Sequence, residues 1–417
     1  MVKLIVYCFV LSIVIANTAS AQNRKLSGTI TDGKNNPVPF AAITLKHQLI
    51  GTNSNEYGSF DFYFPDSLND SIVISSLGFT TQAISPDKIS SPLNIRLKKN
   101  EIALPEVVIH AYTPEDYIRM AMRNVKRNYP AKPFQSQAYY REQLIENNIL
   151  INQCEGIFKT YYPNYQDTVK NQHQLLLYRK ADSKQITFMR EEAERRKEKK
   201  IRKEKREGRD TTGTENTDAV RIAFGGPESV LNLDIIRERE PFLDTLQLRK
   251  FHYELAGTSA LQGKELLVIS FASLKTVDHL KPVGKIYLDP QSFAISSVEY
   301  KAEFEIPVLI RPLLFLYGLD ADNLFFEKQL QYHELDGVWY PKDFKASGTG
   351  SITKKHWFKS NEHSDFAIEQ LFFVNKMQTE KIAPIPEVKR FISKNKFEGQ
   401  VHNDEGIKWE EMNKVNN

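Results

Sequence analysis

Apolar and polar positions alternate between residues 24 and 98, in short runs broken by Gly, Asn, Pro and Asp. KLSGTITD, AAITLK, GSFDFYF, DSIVISSLGF and LNIRLKK each read as a half-buried strand. Phe60, Phe62 and Phe64 fall on one face of the third strand, with Ser59, Asp61 and Tyr63 on the other. Gly58 and Gly78 stand at the breaks, where a tight turn or bulge favours φ > 0. Short alternating strands with turn residues between them predict a β-sandwich over residues 22–100.

The period changes within residues 101–130. Thr113 suits a helix N-cap, Pro114 the first turn, and Glu115 and Asp116 the positive end of the helix dipole. Tyr117, Ile118, Ala121, Met122 and Val125 share a face, and Tyr129-Pro130 stops the helix. Strand alternation resumes over residues 131–380. RKFHYELAGTSALQGKELLVISFAS and GKIYLDPQSFAISSVEYKAEF read as hairpins, the latter with Pro290 placed for a type I turn. FFEKQLQYHELDGVWYP turns at Asp336-Gly337, a strong two-residue hairpin signal. The fold class expected is mostly β: a sandwich, then a helix and a large curved antiparallel sheet of half-barrel type, with a tail at 381–417.

The first residues set the compartment. Lys3, the apolar stretch Leu4 to Ala16 and the small-x-small sequence Ala19-Ser20-Ala21 form a secretory signal over residues 1–21. The apolar stretch is too short to span a bilayer comfortably. After cleavage only Cys154 remains, so no intramolecular disulfide forms, and Cys154 reads as a small buried residue. The net charge is +4, and the cations cluster in REEAERRKEKKIRKEKREGR, residues 190–209, within an insert at 189–217. Acids interleave these bases and no aromatics accompany them. The run therefore reads as a solvated helix or disordered insert rather than a nucleic-acid site.

Four phrases in fixed order carry a family resemblance: Gly28-Thr29-Ile30, Pro37 to Ala41, Thr52 to Phe60 and Ser75 to Phe79. Together they resemble the regulatory-like domain found beside zinc carboxypeptidases and at the front of bacterial outer-membrane receptors. The resemblance implies a transthyretin/Ig-like sandwich in a protein of the Gram-negative envelope, either periplasmic or associated with the outer membrane. EIALPEVVIHAY, residues 101–112, is similar to the segment that follows such domains in receptors. The residues after it are too few for a receptor barrel. Gly284 to Asp289 and Gly337 to Pro341 are similar to phrases of periplasmic lipoprotein-carrier half-barrels.

Peptidase chemistry needs three metal ligands and a general base. The one His-x-x-Glu, His402 to Glu405, has no histidine after it, and His356 and His363 lie near acids in what reads as a surface loop. Nucleophile elbow, P-loop, His-Glu-x-x-His and Cys-x-x-Cys are all missing. No catalytic residue, metal ligand or cofactor is assigned.

Two stretches are candidates for binding. Tyr161, Tyr162 and Tyr165 surround a proline turn, either as an exposed sugar or peptide surface or as a buried loop anchor. EIPVLIRPLLFLYGLDADNLFF, residues 305–326, is nearly all apolar from Ile306 to Leu319. It reads as a core connector, as a flap over an apolar cavity, or as a patch against lipid or a partner. As a flap it would turn Leu309, Leu313, Leu314 and Phe315 inward, with Arg311 at the cavity mouth. The expected partners are lipid, glycan or peptide, or another envelope protein, with peripheral rather than integral membrane attachment and no nucleic acid. An enclosed apolar cavity would mark a carrier, a filled interior a scaffold or assembly factor, and an acid pair in a cleft a hydrolase.

Overall fold

The computed structural model describes residues 23–66, 69–100, 112–165, 169–181, 234–393, 395 and 397–415, with 198–199, 201–203, 205–207 and 230. The stretch read as a secretory signal, residues 101–111 and most of the charged insert lie outside these. The insert residues described between 198 and 206 are helical, and Arg202 lies 3.4 Å from Glu198 one turn away.

The N-terminal sandwich has two sheets. One orders β4 (Ser59–Pro65), β1 (Asn23–Asp32) and β7 (Leu93–Leu97). The other orders β3 (Gly51–Asn53), β2 (Ala42–Leu45), β5 (Ile72–Ser75) and β6 (Gln82–Ile84). Phe60, Phe62 and Phe64 point inward as the alternation predicts, onto Leu26, Ile30, Ile43, Ile74 and Leu97. Gly58 and Gly78 adopt φ of +75° and +81°. A Cβ at Gly58 would also stand 2.3 Å from the Ile30 carbonyl oxygen, so only glycine fits.

The helical stretch forms α1 (Pro114–Arg123) and a further turn, α2 (Val125–Asn128). Thr113 and Asp116 close a reciprocal capping box, and Tyr117, Ile118 and Ala121 are buried.

The remainder is one open antiparallel sheet of ten strands. It comprises β8 (Phe134–Glu146), β9 (Ile149–Tyr162), β10 (Gln172–Lys180), β11 (Phe251–Leu261), β12 (Lys264–Ser273), β13 (Leu280–Leu288), β14 (Ile295–Phe304), β15 (Leu319–Leu335), β16 (Val338–Lys354) and β17 (Glu362–Gln378). Two meanders, β8–β10 and β11–β17, join by pairing β8 with β17. Asp336 and Gly337 take φ of +51° and +81° in the tight hairpin expected there. Between β13 and β14, Asp289 accepts from Gln291 N and Ser292 Oγ, so a longer acid-capped loop carries Pro290.

One face of this sheet is packed by the chain itself. Helix α1, residues 234–250 with the short α3 (Ile235–Glu238), and Phe391 and Phe397 of the tail cover it. Phe242 stacks on Phe271 at 4.3 Å and meets Tyr300 edge-on at 5.1 Å. Asp234 caps α3 and accepts hydrogen bonds from the Tyr165 and Tyr332 hydroxyls, and the Tyr129 ring lies against both tyrosines. Burial pushes the Asp234 carboxyl up, opposed by those two hydroxyls.

The opposite face meets the sandwich and the end of the tail. Phe40 packs on Phe373, Leu77 on Leu261 and Val268, and Trp409 and Met412 on the apolar patch of β8–β10 and β17. Asn53 donates to Asp343 at 3.1 Å and Arg141 reaches Glu56 at 3.1 Å. Asn413 bonds both backbone groups of Tyr63, tying the tail to the sandwich.

Candidate functional site

β15, β16 and β17 run past their neighbours. β14 pairs with β15 only from Phe325 onward, whereas β15 pairs with β16 from Leu319. The overhang is about 20 Å at ordinary strand rise. The apolar stretch between β14 and β15 sits at this end. Its base is fixed: Glu305 donates its N–H to His279 O, accepts from Thr276 Oγ1 at 2.7 Å and pairs with Lys281. The Lys281 ammonium, ahead of Thr276, holds the Glu305 carboxyl below the usual carboxylate range.

Residues 311–316 form α4 (Arg311–Leu316), with Pro312 in the first turn, where its missing N–H breaks no bond. The helix buries no residue. Leu309 is 91% exposed, Phe315 84%, Leu316 78% and Val308 76%, and Ile310, Leu313 and Tyr317 are also exposed. The far end is fixed by Lys355 N–H donating to Gly318 O at 2.7 Å. Gly318 has φ +65°, and a Cβ there would lie 3.0 Å from the Lys355 carbonyl oxygen. This contact brings the β16–β17 loop alongside, with Trp357 95% and Phe358 100% exposed. A soluble surface rarely gathers so many large apolar side chains without a partner.

This corrects the inward flap. Leu309, Leu313 and Phe315 face solvent and Leu314 is half-buried, outside the core that Phe242 and its neighbours build over the central strands. The prolines seat a turn and a helix start instead of kinking a core connector. Arg311 lies in solvent and donates from Nε to Ile306 O. The tyrosine cluster serves the core: Tyr162 stacks on Phe134 at 4.4 Å and Tyr165 is buried against Asp234, leaving Tyr161 half-exposed. Tyr162 and Tyr165 therefore offer no open surface to a ligand.

An open trough of about 540 Å³ crosses β11 to β16 on the sandwich-bearing face. Glu254, Lys285, Glu299, Lys301, Glu327 and Lys345 line it. Sequence reading missed it, since alternating charge on exposed strand positions is also the pattern of any solvated sheet. His356 Nε2 lies 2.8 Å from Glu362, and His363 Nε2 3.3 Å from Asp365. Among the described residues no three His, Cys, Asp or Glu side chains come together as a metal set. No helix among them is long and apolar enough to cross a membrane.

No curated protein matches the chain. Among solved structures, a domain assigned to outer membrane lipoprotein sorting from Vibrio parahaemolyticus aligns at 9% identity and TM-score 0.26, covering 66% of this chain and 96% of its own. A DUF1329 family protein from Desulfovibrio piger aligns at 10% and 0.23, covering 64% and 94%. A membrane-associated protein of unknown function from Bacteroides fragilis aligns at 10% and 0.15, covering 86% and 99%. Likeness this slight assigns no ligand. Residues 26–109 match the CarboxypepD_reg-like domain family, which places the N-terminal sandwich among regulatory-type domains and leaves the ten-stranded sheet outside the match.

Proposed function

We propose that this is an exported, peripheral envelope protein that works by docking, without catalysis, and that its apolar end is the docking surface. The observation supporting this is where the apolar side chains go. A carrier would turn them toward a cavity, yet here Phe242, Tyr332 and α1 pack the central part of the inner face, and the apolar residues of 308–317 stand outside that core. The regulatory-type sandwich clamps the other half of the sheet and holds that end free. The test is fractionation of the producing cells. The wild-type chain should be retained with envelope membranes, and a Leu309→Asp/Phe315→Asp/Phe358→Asp variant should be released while keeping its melting temperature. Equal retention of both would sink the proposal.

The charged trough supports a second reading, an extended polar ligand such as a glycan or peptide laid across β11 to β16. Native mass spectrometry of the protein from its own envelope would then show a bound mass that Lys301→Glu loses.

A further inference from the structure

We infer that the apolar end enters the interfacial layer of a phospholipid bilayer, favouring anionic headgroups. The inference rests on the docking reading and names the partner of that surface.

The first argument is projection. Side chains that are 84% to 100% exposed, as Phe315, Leu309, Trp357 and Phe358 are, touch almost nothing of their own chain. A folded protein partner would need a preformed pocket for each of these knobs. A bilayer is fluid and closes around them at no such cost in fit. The residue types agree with this. Trp357 and Tyr317, amphipathic rings suited to the headgroup level, stand among Leu, Val and Phe, which suit the acyl boundary.

The second argument is charge. Residues 306–319 and 354–360 contain Arg311, Lys354, Lys355 and Lys359, and neither Asp nor Glu. The acids begin behind them, on the strands: Asp320 pairs with Lys355 at 2.7 Å and Glu362 with Lys359 at 3.1 Å. The order from the tip inward is thus apolar, then cationic, then acidic, complementary to acyl chains beneath an anionic headgroup layer. Exposed pairs of this kind are weak, so anionic headgroups compete for the lysines readily. Each cation brought to an anionic surface raises partitioning about fivefold.

A second copy of the chain fits less well. A two-fold contact through this end would set Arg311 and the lysines of one copy against those of the other. The apolar stretch is also short and broken by Pro307 and Pro312, which suits lying in the interface and not spanning. The sandwich contacts β16 at Lys345, nine residues from Lys354. At strand rise that holds the sandwich about 30 Å back from the bilayer.

The test is co-sedimentation of the full chain with phosphatidylcholine vesicles, with and without phosphatidylglycerol. The wild type should pellet with both, more with phosphatidylglycerol, and Trp357 emission should shift to the blue. The Leu309→Asp/Phe315→Asp/Phe358→Asp variant should lose at least about 100-fold in partitioning. A Lys355→Glu/Lys359→Glu variant should lose only the increment due to phosphatidylglycerol. Wild-type chain left in the supernatant with both vesicles would overturn the inference, as would a triple variant that still pellets. If the wild type ignores vesicles yet its envelope retention still needs the three apolar residues, the lipid assignment fails and docking to another partner stands. If retention does not need them either, both readings fail.

Discussion

Phe242→Ala asks whether the inner face of the sheet is filled or merely covered. Phe242 is 1% exposed, with its ring stacked 4.3 Å from Phe271 and edge-on to Tyr300. Truncation removes the transfer free energy of the ring and leaves a void that Phe271 and Tyr300, fixed on β12 and β14, cannot close. Buried Phe→Ala changes of this kind cost about 3–5 kcal/mol. The assay is urea unfolding followed by fluorescence, with Leu246→Ala as control. Leu246 lies four residues on and is 84% exposed, so its truncation should stay within about 0.5 kcal/mol. The void should also be apolar and dry, so benzene should bind the variant and restore part of the loss, and should not stabilise the wild type. A Phe242→Ala cost below about 1 kcal/mol, or benzene binding to the wild type, would show an open interior and return the carrier reading to favour.

Further outcomes follow from single residues. His173 is buried beside Thr160 and burial alone lowers its pKa to about 3, so it stays neutral in the fold and charges in the unfolded chain. Its folded pKa is depressed below the ordinary 6.5, so stability is full above 6.5 and falls as the pH drops toward 3, by up to about 1.4 kcal/mol per unit. Denaturation curves of His173→Gln should be flatter over that window, and an unchanged slope would contradict its burial. Gly58→Ala forces a Cβ against Ile30 O at φ +75° and should lower stability by more than about 1 kcal/mol, read as the melting temperature of the sandwich. Glu56→Ala removes one carboxylate, 3.1 Å from the guanidinium of Arg141, which is 3% exposed at the interface between sandwich and sheet. It should cost more than an exposed pair's 0–1 kcal/mol or so. A cost no greater than that would show the interface to be loose.

The local elements were legible because their determinants are local. Thr113 and Asp116, Asp336-Gly337, and Phe60, Phe62 and Phe64 each specify a cap, a turn or a face within a few residues. The pairing of β8 with β17 was not legible, since it joins Phe366 to Glu146 across some 220 residues with no local trace. Nor was the filling of the inner face: residues 234–250 hold only short helical pieces, and nothing periodic marks Phe242 as a core ring. The apolar run at 306–319 is legible, but the sequence leaves connector, flap and outward patch open, and the inward flap is the reading that the exposure of Leu309, Leu313 and Phe315 contradicts. Hydrophobicity reports a need for burial without saying whether the chain itself supplies it. Here Leu309 and Phe315 stand in solvent, outside the core that Phe242 and its neighbours build over the central strands.

The most direct test of docking through the apolar end is photo-crosslinking in intact cells. Benzoylphenylalanine replaces Phe315 in one strain and Val388, 83% exposed and distant in sequence, in another. Irradiation should yield envelope adducts from position 315 and few from position 388. Equal yields from the two positions, or none from 315, would contradict the account.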